Sequence, residues 1–218
     1  MNIALALLVV SAFSPIQDKP VVILKKDLPK EAECSVCIAN GSPMGMEKPA
    51  AGAMYKGKPY YFCNAKEVPE FMKNPEMYVP LDLPMPLPEF NLTDLSGKVW
   101  NEEAFKGKLV LLDYWATWCK PCLALKPKLD KIRDNYRDKG FEVLSVSIDE
   151  KQATLDKFFA KAKWDNSVAR DTAKTWANLH VVSIPALFLV KDGKVVAVFR
   201  GNADPKAVEA AVKANLQN

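Results

Sequence analysis

The sequence is poor in histidine, cysteine and clustered positive charge. A single histidine, His180, in 218 residues argues against a catalytic centre in which several imidazoles bind zinc or copper. Five cysteines are too few for a scaffold held together by disulfides, so their role has to be inferred from their spacing. No run of lysine and arginine exceeds two residues, and 30 basic side chains face 26 acidic ones. Nucleic-acid-binding proteins concentrate positive charge more strongly, so we expect no nucleic-acid partner.

The N-terminal apolar run is too short to cross a membrane. It extends from Ile3 to Val10 and is followed by Ser11-Ala12-Phe13. Eleven helical residues span about 16 Å, roughly half of a hydrocarbon core. This length and the small residues behind it are typical of a signal peptide, although no lysine or arginine precedes the run. We therefore expect a signal peptide or short membrane anchor at 1–14 and an extracytoplasmic location. A buried N-terminal strand or helix is the alternative.

The chain has the composition of a folded protein, with 49% apolar and 26% charged residues. Four prolines fall between Pro80 and Pro88, and proline excludes both helix and central strand there. The sequence therefore predicts a small cysteine-bearing module at 27–79, a stiff linker at 80–88 and a larger domain at 88–217.

Strand and helix patterns alternate in the larger domain. Continuous apolar runs predict buried strands, an Asp192-Gly193 dipeptide predicts a hairpin, and apolar residues at helical spacing predict helices. Together they indicate an α/β sheet with helices on both faces. The predicted strands are 108–114, 141–148, 186–190 and 194–199; the predicted helices are 121–139, kinked at Pro127 and ended by Gly140, then 153–163, 172–178 and 205–216.

Two cysteines separated by two residues stand between the first strand and the long helix, in Trp118-Cys119-Lys120-Pro121-Cys122. A helix N-terminus favours a thiolate, so Cys119 is expected to attack and Cys122 to resolve the mixed disulfide. A structural disulfide or half of a zinc site is the alternative.

The segment LLDYWATWCKPC at 111–122 resembles the active site of the thioredoxin superfamily, in particular its exported TlpA/ResA-like branch. The resemblance covers about 88–217 and implies a thioredoxin-like fold. It implies that Asp113 is a buried carboxylate that exchanges a proton with the resolving thiol. It also implies that Ile184-Pro185 is a cis-proline segment that offers its backbone to the substrate peptide, with Trp118, Lys120 and Pro121 beside it. No cofactor is then required for the redox reaction.

One position departs from the family pattern. Ser145 stands where many thioredoxins have a lysine close to the buried carboxylate. The tuning of Cys122 by such a charge pair is therefore in doubt.

The small module contains the other three cysteines. Cys34 and Cys37 form a second CxxC pair, and KGKPYYFCN…FMKNPEMY at 56–78 resembles a YHS domain, a small metal-associated module. That resemblance implies a ligand set of Cys34, Cys37, Cys63 and Glu67 for zinc or copper, with Glu67 where the family typically has a further cysteine. A Cys34–Cys37 disulfide with Cys63 left over, or a second redox pair, are alternatives.

The sequence predicts an exported thiol-disulfide oxidoreductase that reduces, or exchanges, disulfides of extracytoplasmic client proteins through Cys119 and Cys122. The resemblance implies a membrane thiol carrier as electron donor, and the N-terminus could serve as a membrane tether. The alternative is a metal-handling protein whose thioredoxin domain maintains the cysteines of a metalloprotein partner. A peroxidase is disfavoured because the pair is CxxC.

We predict that Lys120→Gly raises the pKa of the Cys119 thiol and makes the couple less oxidising, because it removes a cation beside the thiolate. Alkylation rate against pH measures the first effect, and equilibration with a graded dithiol buffer measures the second. An unchanged pKa and an unchanged potential would show that the hypothesis is wrong.

Overall fold

The computed structural model describes residues 19–201 and 203–217. The predicted signal peptide or anchor at 1–14 lies outside these residues. Within them, no helix is long and apolar enough to cross a bilayer.

A six-stranded mixed sheet forms the centre of the larger unit, with strand order β4-β11-β10-β7-β8-β9. Strands β7, β8 and β9 run parallel, whereas β10, β11 and β4 pair antiparallel. All seven residues of β7 are buried, as expected for a strand covered on both faces. The strands are β4 (Met85–Pro86), β7 (Leu109–Trp115), β8 (Phe141–Ser147), β9 (Ser167–Arg170), β10 (Ala186–Lys191) and β11 (Lys194–Arg200); β5 (Leu92–Thr93) and β6 (Val99–Trp100) form a separate hairpin.

The helices cover the sheet on both faces. Successive residues of β7 point to opposite faces, so Leu111 belongs to one core cluster, with Leu129 and Val208, whereas Leu112 belongs to another, with Trp100. The helices of this unit are α3 (Glu102–Phe105), α4 (Lys120–Tyr136), α5 (Gln152–Phe159), α6 (Thr175–Asn178) and α7 (Pro205–Leu216).

The predicted α/β sheet with helices on both faces is confirmed. The long helix ends as expected, because α4 passes into a 3₁₀ turn at Arg137–Lys139 and Gly140 follows in the left-handed conformation, with φ of 84°. Helices α5 and α6 are shorter than predicted. The strands β5, β6 and β9 have at most four residues and were not predicted, because such short runs carry little periodic signal.

The proline-rich stretch contributes an edge strand. Met85 and Pro86 pair with Val195 and Lys194 at the open side of β11, and Leu87 donates its N–H to the Gly193 carbonyl. Proline is tolerated at this position because an edge strand has one unpaired side. The segment predicted as a linker is thus partly attached to the sheet.

The small module has its own sheet and core. Its sheet has the order β1-β2-β3, formed by β1 (Val21–Val22), β2 (Ala51–Tyr55) and β3 (Lys58–Phe62), and its helices are α1 (Ser35–Ala39) and α2 (Val68–Lys73). β1 lies upstream of the predicted boundary at 27. The fully buried Phe71 ring contacts the rings of Tyr55, Tyr60, Phe62 and Tyr78 at centroid distances of 5.0–6.3 Å. Such aromatic packing gives a small module a core of its own.

Candidate functional site

Cys119 and Cys122 lie at the start of α4 and are joined by a disulfide, with their Cα atoms 5.3 Å apart. Cys119 is the N-cap residue of the helix, and its sulfur accepts a hydrogen bond from the Cys122 N–H at 3.3 Å. Both residues are buried. A sulfur that faces the free N–H groups of a helix N-terminus is stabilised as a thiolate once the disulfide is reduced.

The loop before Cys119 is held by a buried aspartate that the sequence analysis did not identify. Asp149 accepts hydrogen bonds from the Thr117 N–H and the Thr117 hydroxyl, each at 2.9 Å. Ser147, at the end of β8, also donates to Asp149 at 2.7 Å. These bonds fix the segment that carries the cysteine to the neighbouring strand.

The residues predicted to meet the client surround the disulfide. Ile184 packs in the same apolar cluster as the two cysteines, together with Trp115. The Ile184–Pro185 peptide bond is cis, as the resemblance implies. Trp118 is 67% exposed, and Lys120 and Pro121 are exposed beside it. The arrangement therefore combines a buried disulfide with an exposed aromatic and cationic rim.

Asp113 lies in the middle of β7 and is buried, as predicted. It accepts a hydrogen bond of 3.1 Å from the Ser145 hydroxyl, its register partner on β8. The same hydroxyl accepts hydrogen bonds from Lys126 Nζ at 3.1 Å and from Asn166 Nδ2 at 2.7 Å. A serine hydroxyl has two acceptor positions and one proton. Both acceptor positions are filled, so the proton of Ser145 points to Asp113.

Lys126 replaces the charge that Ser145 lacks. The lysine comes from α4 rather than from β8, and it is buried beside Ser145 with a salt bridge of 3.3 Å to Asp130. Burial raises the pKa of Asp113, and attraction to the Lys126 ammonium and the hydrogen bond from Ser145 offset part of that rise. Burial lowers the pKa of Lys126, and the carboxylates of Asp113 and Asp130 counteract it.

Helical spacing could have identified Lys126 from the sequence. It lies four residues after Cys122 and three before Leu129, both of which are buried, so a lysine at this position has to face the interior. Asn166 lies in the loop before β9, where no helical or strand spacing could indicate that its side chain is buried at this site. Its Oδ1 atom is buried and has no hydrogen-bond partner among the described residues.

Comparison with known proteins agrees with this geometry. A family model described as thioredoxin-like matches residues 107–196. The thiol-disulfide oxidoreductase ResA of Bacillus thuringiensis subsp. konkukian is 34% identical over 131 residues, which cover 58% of this chain and 74% of that protein. The chain belongs to the thioredoxin-like thiol-disulfide oxidoreductases.

Solved structures of this family superpose on the chain. A protein from Chlorobium tepidum, assigned as the thiol:disulfide interchange protein DsbE, has a TM-score of 0.58 at 33% identity and covers 63% of this chain and 99% of its own. The pneumococcal exposed lipoprotein thioredoxin Etrx1 from Streptococcus pneumoniae has a TM-score of 0.53 at 28% identity and covers 58% and 98%. The chain is therefore a thiol-disulfide oxidoreductase of ResA/DsbE type, with a thioredoxin-like fold.

The small module of this oxidoreductase brings together the four residues predicted as metal ligands. One ligand atom from each of Cys34, Cys37, Cys63 and Glu67 lies within 4.8 Å of all the others. The three cysteines are free thiols, so the alternative Cys34–Cys37 disulfide is absent. Instead, the sulfurs of Cys37 and Cys63 are 3.7 Å apart, and Cys34 donates to Glu67 at 3.5 Å.

Three of the six separations within this set are close to those around a tetrahedral ion. With bonds of about 2.3 Å to sulfur and about 2.1 Å to oxygen, two sulfur ligands lie about 3.8 Å apart, and a sulfur and an oxygen lie about 3.6 Å apart. The Cys37–Cys63 separation and the 3.5 Å between Cys34 Sγ and Glu67 Oε2 are close to these values, and Cys63 Sγ lies 3.9 Å from the same oxygen. Burial, the neighbouring thiols and the Glu67 carboxylate raise the pKa of Cys63 to about 12.

We predict that Lys126→Met shifts the pH dependence of disulfide reduction to higher pH. The substitution removes the attraction that lowers the pKa of Asp113, so the carboxylate becomes available as a proton acceptor only at higher pH; Asp130 and Arg133, the other charged groups near Lys126, remain. Activity at pH 7 should fall severalfold, within the roughly 10²-fold that a positioned general base contributes. NMR titration of the Asp113 carboxyl and pH profiles of insulin reduction measure the two effects.

Lys131→Met, which removes an exposed charge from the same helix, is the matched control and should leave the profile in place. Identical profiles for both variants would rule out a role for Lys126 in tuning Asp113.

Proposed function

We propose that the chain is an exported reductase of disulfides in extracytoplasmic client proteins. The observation that carries this proposal is the Cys119–Cys122 pair at the N-terminus of α4, with Ile184 of the cis Ile184–Pro185 segment packed in the same cluster and a buried carboxylate at Asp113. This combination supplies a nucleophile, a resolving thiol and a proton acceptor.

The reaction proceeds in two exchanges. The Cys119 thiolate attacks one sulfur of the client disulfide, and the other client sulfur leaves as a thiolate. Asp113 accepts the proton of Cys122, whose thiolate then attacks the Cys119 sulfur and releases the second client sulfur as a thiolate. Two electrons pass from the Cys119–Cys122 dithiol to the client, and the enzyme is left as the disulfide seen in the structure.

The residues around the disulfide have binding roles in this proposal. The backbone of Ile184 and Pro185 aligns the client segment, and Trp118 offers it an exposed apolar face. Lys120 favours the Cys119 thiolate through its charge, and Pro121 fixes the first turn of α4.

The reducing direction and the location are also part of the proposal. One of the similar proteins is described as an exposed lipoprotein, which supports an extracytoplasmic site of action. We propose a leader or membrane tether at 1–14, a YHS-like module at 27–79 joined through 80–88 to the thioredoxin domain at 88–217, and a membrane thiol carrier as electron donor.

Cys119→Ser should lower the rate of insulin reduction at least about 10³-fold, because it removes the nucleophile. Cys122→Ser should instead accumulate a covalent adduct between Cys119 and a client cysteine, visible by mass spectrometry without reductant. A reduction potential of the Cys119–Cys122 couple near about −250 mV or below supports a reductant, whereas a value of about −150 mV indicates an oxidant or isomerase. Insulin reduction that survives Cys119→Ser would contradict the proposal.

A second candidate function is metal handling by the small module. It is favoured by the convergence of Cys34, Cys37, Cys63 and Glu67, which would hold zinc or copper. Such an ion would cross-link α1, the end of β3 and the turn that leads into α2. The oxidoreductase domain would then maintain the cysteines of a metalloprotein partner.

The full chain, purified under reducing conditions and loaded with zinc or Cu(I), should bind about one equivalent of metal. Cys34→Ser and Cys63→Ser should each lose most of it, because each removes one thiolate ligand. Cys119→Ser is the matched control and should retain the metal. Equal, negligible metal in all four proteins would exclude this candidate.

A further inference from the structure

The small module docks against the face of the oxidoreductase domain that carries the cis proline. The carbonyl of Asn40, directly after α1, accepts a hydrogen bond of 3.4 Å from the Ser183 hydroxyl. The carbonyl of Ala39 accepts one of 3.2 Å from Arg200, at the end of β11. The C-terminal end of α1 is therefore fixed two residues from Pro185.

Two glycines allow the backbones of the small module and the oxidoreductase domain to meet at this interface, which we call the seam. A Cβ atom on Gly41 would lie 2.2 Å from the backbone carbon and oxygen of Arg200, and one on Gly201 would lie 2.7 Å from the Gly41 carbonyl oxygen. Gly201 in turn donates its N–H to the Pro185 carbonyl at 3.0 Å. Only glycine permits this approach, so the module touches the segment that borders the disulfide.

The cysteine cluster is connected to this seam through α1. Cys37 lies in α1 itself, two residues before Ala39. On the other side of the seam, Ile184 follows Ser183 and packs against Cys119 and Cys122. The two groups of cysteines are thus linked by one short series of contacts.

The two units do not pack completely where they meet. A pocket of about 390 Å³, lined by residues such as Ile38, Val79, Leu81 and Val198, lies between the module and β11. Interfaces between two units of one chain permit relative motion unless they are large and hydrophobic.

Cys37 and Cys63 are themselves suited to disulfide exchange. Their sulfurs are 3.7 Å apart, so they need to move less than about 2 Å closer to form an S–S bond. Both residues are partly exposed. Cys34, by contrast, is 2% exposed and bonded to Glu67. An exchange partner would therefore reach Cys37 or Cys63 before Cys34.

We propose that Cys37 and Cys63 are a resident client of Cys119 and Cys122 in the same chain, an inference that rests on the reductase function proposed above. The Cys119 thiolate attacks Cys37 Sγ in a Cys37–Cys63 disulfide, and Cys63 leaves as a thiolate. Cys122 then attacks Cys119 and releases Cys37. Asp113 accepts the proton of Cys122, two electrons pass to Cys37 and Cys63, which are released as thiolates, and a Cys119–Cys122 disulfide forms.

The exchange keeps the cluster in the form that binds metal. A disulfide withdraws two of the three thiolates from Cys34, Cys37, Cys63 and Glu67. Exported proteins enter oxidising compartments, where free thiols such as those of Cys37 and Cys63 are converted to disulfides. A reductase docked beside the cluster restores its ligands without a separate partner.

The test uses the full chain carrying Cys122→Ser, reduced and then exposed to one equivalent of oxidised glutathione. We expect a disulfide between Cys119 and Cys37 within one chain, identified by peptide mass spectrometry, at a rate independent of protein concentration. Failure to find this link in a protein that still forms the Cys119 adduct with insulin would overturn the resident client and leave the reductase function intact. A link that forms only between two chains would also overturn it. Absence of both products would instead count against the reductase function.

Gly41→Ala and Gly45→Ala form a matched pair of seam variants. Both glycines have positive φ, of 70° and 78°, so both substitutions carry the same backbone strain, but only the Cβ at position 41 meets a neighbour. In the Cys122→Ser background, Gly41→Ala should slow formation of the Cys119–Cys37 link at least about tenfold by lowering the effective concentration of the module. Gly45→Ala should leave the rate unchanged, and equal rates in the two variants would show that the docked seam does not guide the exchange.

Discussion

The active site depends on a carboxyl group and an amino group that share one serine hydroxyl in the interior of the larger unit. Asp113 on the central strand would be costly to ionise alone, because burial disfavours its charged form. Lys126 approaches from α4, and Ser145 lies between the two groups. Strand and helix must therefore keep their relative positions for the charge to be tolerated, and the disulfide lies at the start of that same helix.

Much of this fold could be predicted from the sequence because its signals are local. The apolar run of β7, the hairpin dipeptide at Asp192-Gly193 and the helix end at Gly140 each act within a few residues. The charge pair could not be predicted from the strand pattern, since the lysine expected opposite Asp113 comes from a different element. Ser145 indicated that the usual lysine beside Asp113 is missing. Helical spacing places Lys126 toward the interior, but its pairing with Asp113 became visible only when the helix was packed on the sheet.

The two CxxC pairs show how surroundings decide what a local motif does. Cys34 caps α1 and accepts a hydrogen bond from the Cys37 N–H, just as Cys119 does for Cys122 at the start of α4. Yet only Cys119 and Cys122 are joined by a disulfide, whereas Cys34 and Cys37 are free thiols. In the small module, Cys37 faces Cys63 and Cys34 faces Glu67, and both partners come from the segment at and just after the end of β3. The sequence spacing of each pair is identical, so the difference lies in contacts that spacing does not encode.

The edge strand β4 has a kinetic consequence for any protein that competes for this active site. Because Met85 and Pro86 are paired to β11, the free chain between the small module and the sheet is only a few residues long. A segment tethered so closely is present at an effective concentration in the millimolar range, set by geometry and not by supply. A diffusing client at micromolar concentration would therefore compete for the dithiol with a neighbour that is always present at a higher effective concentration.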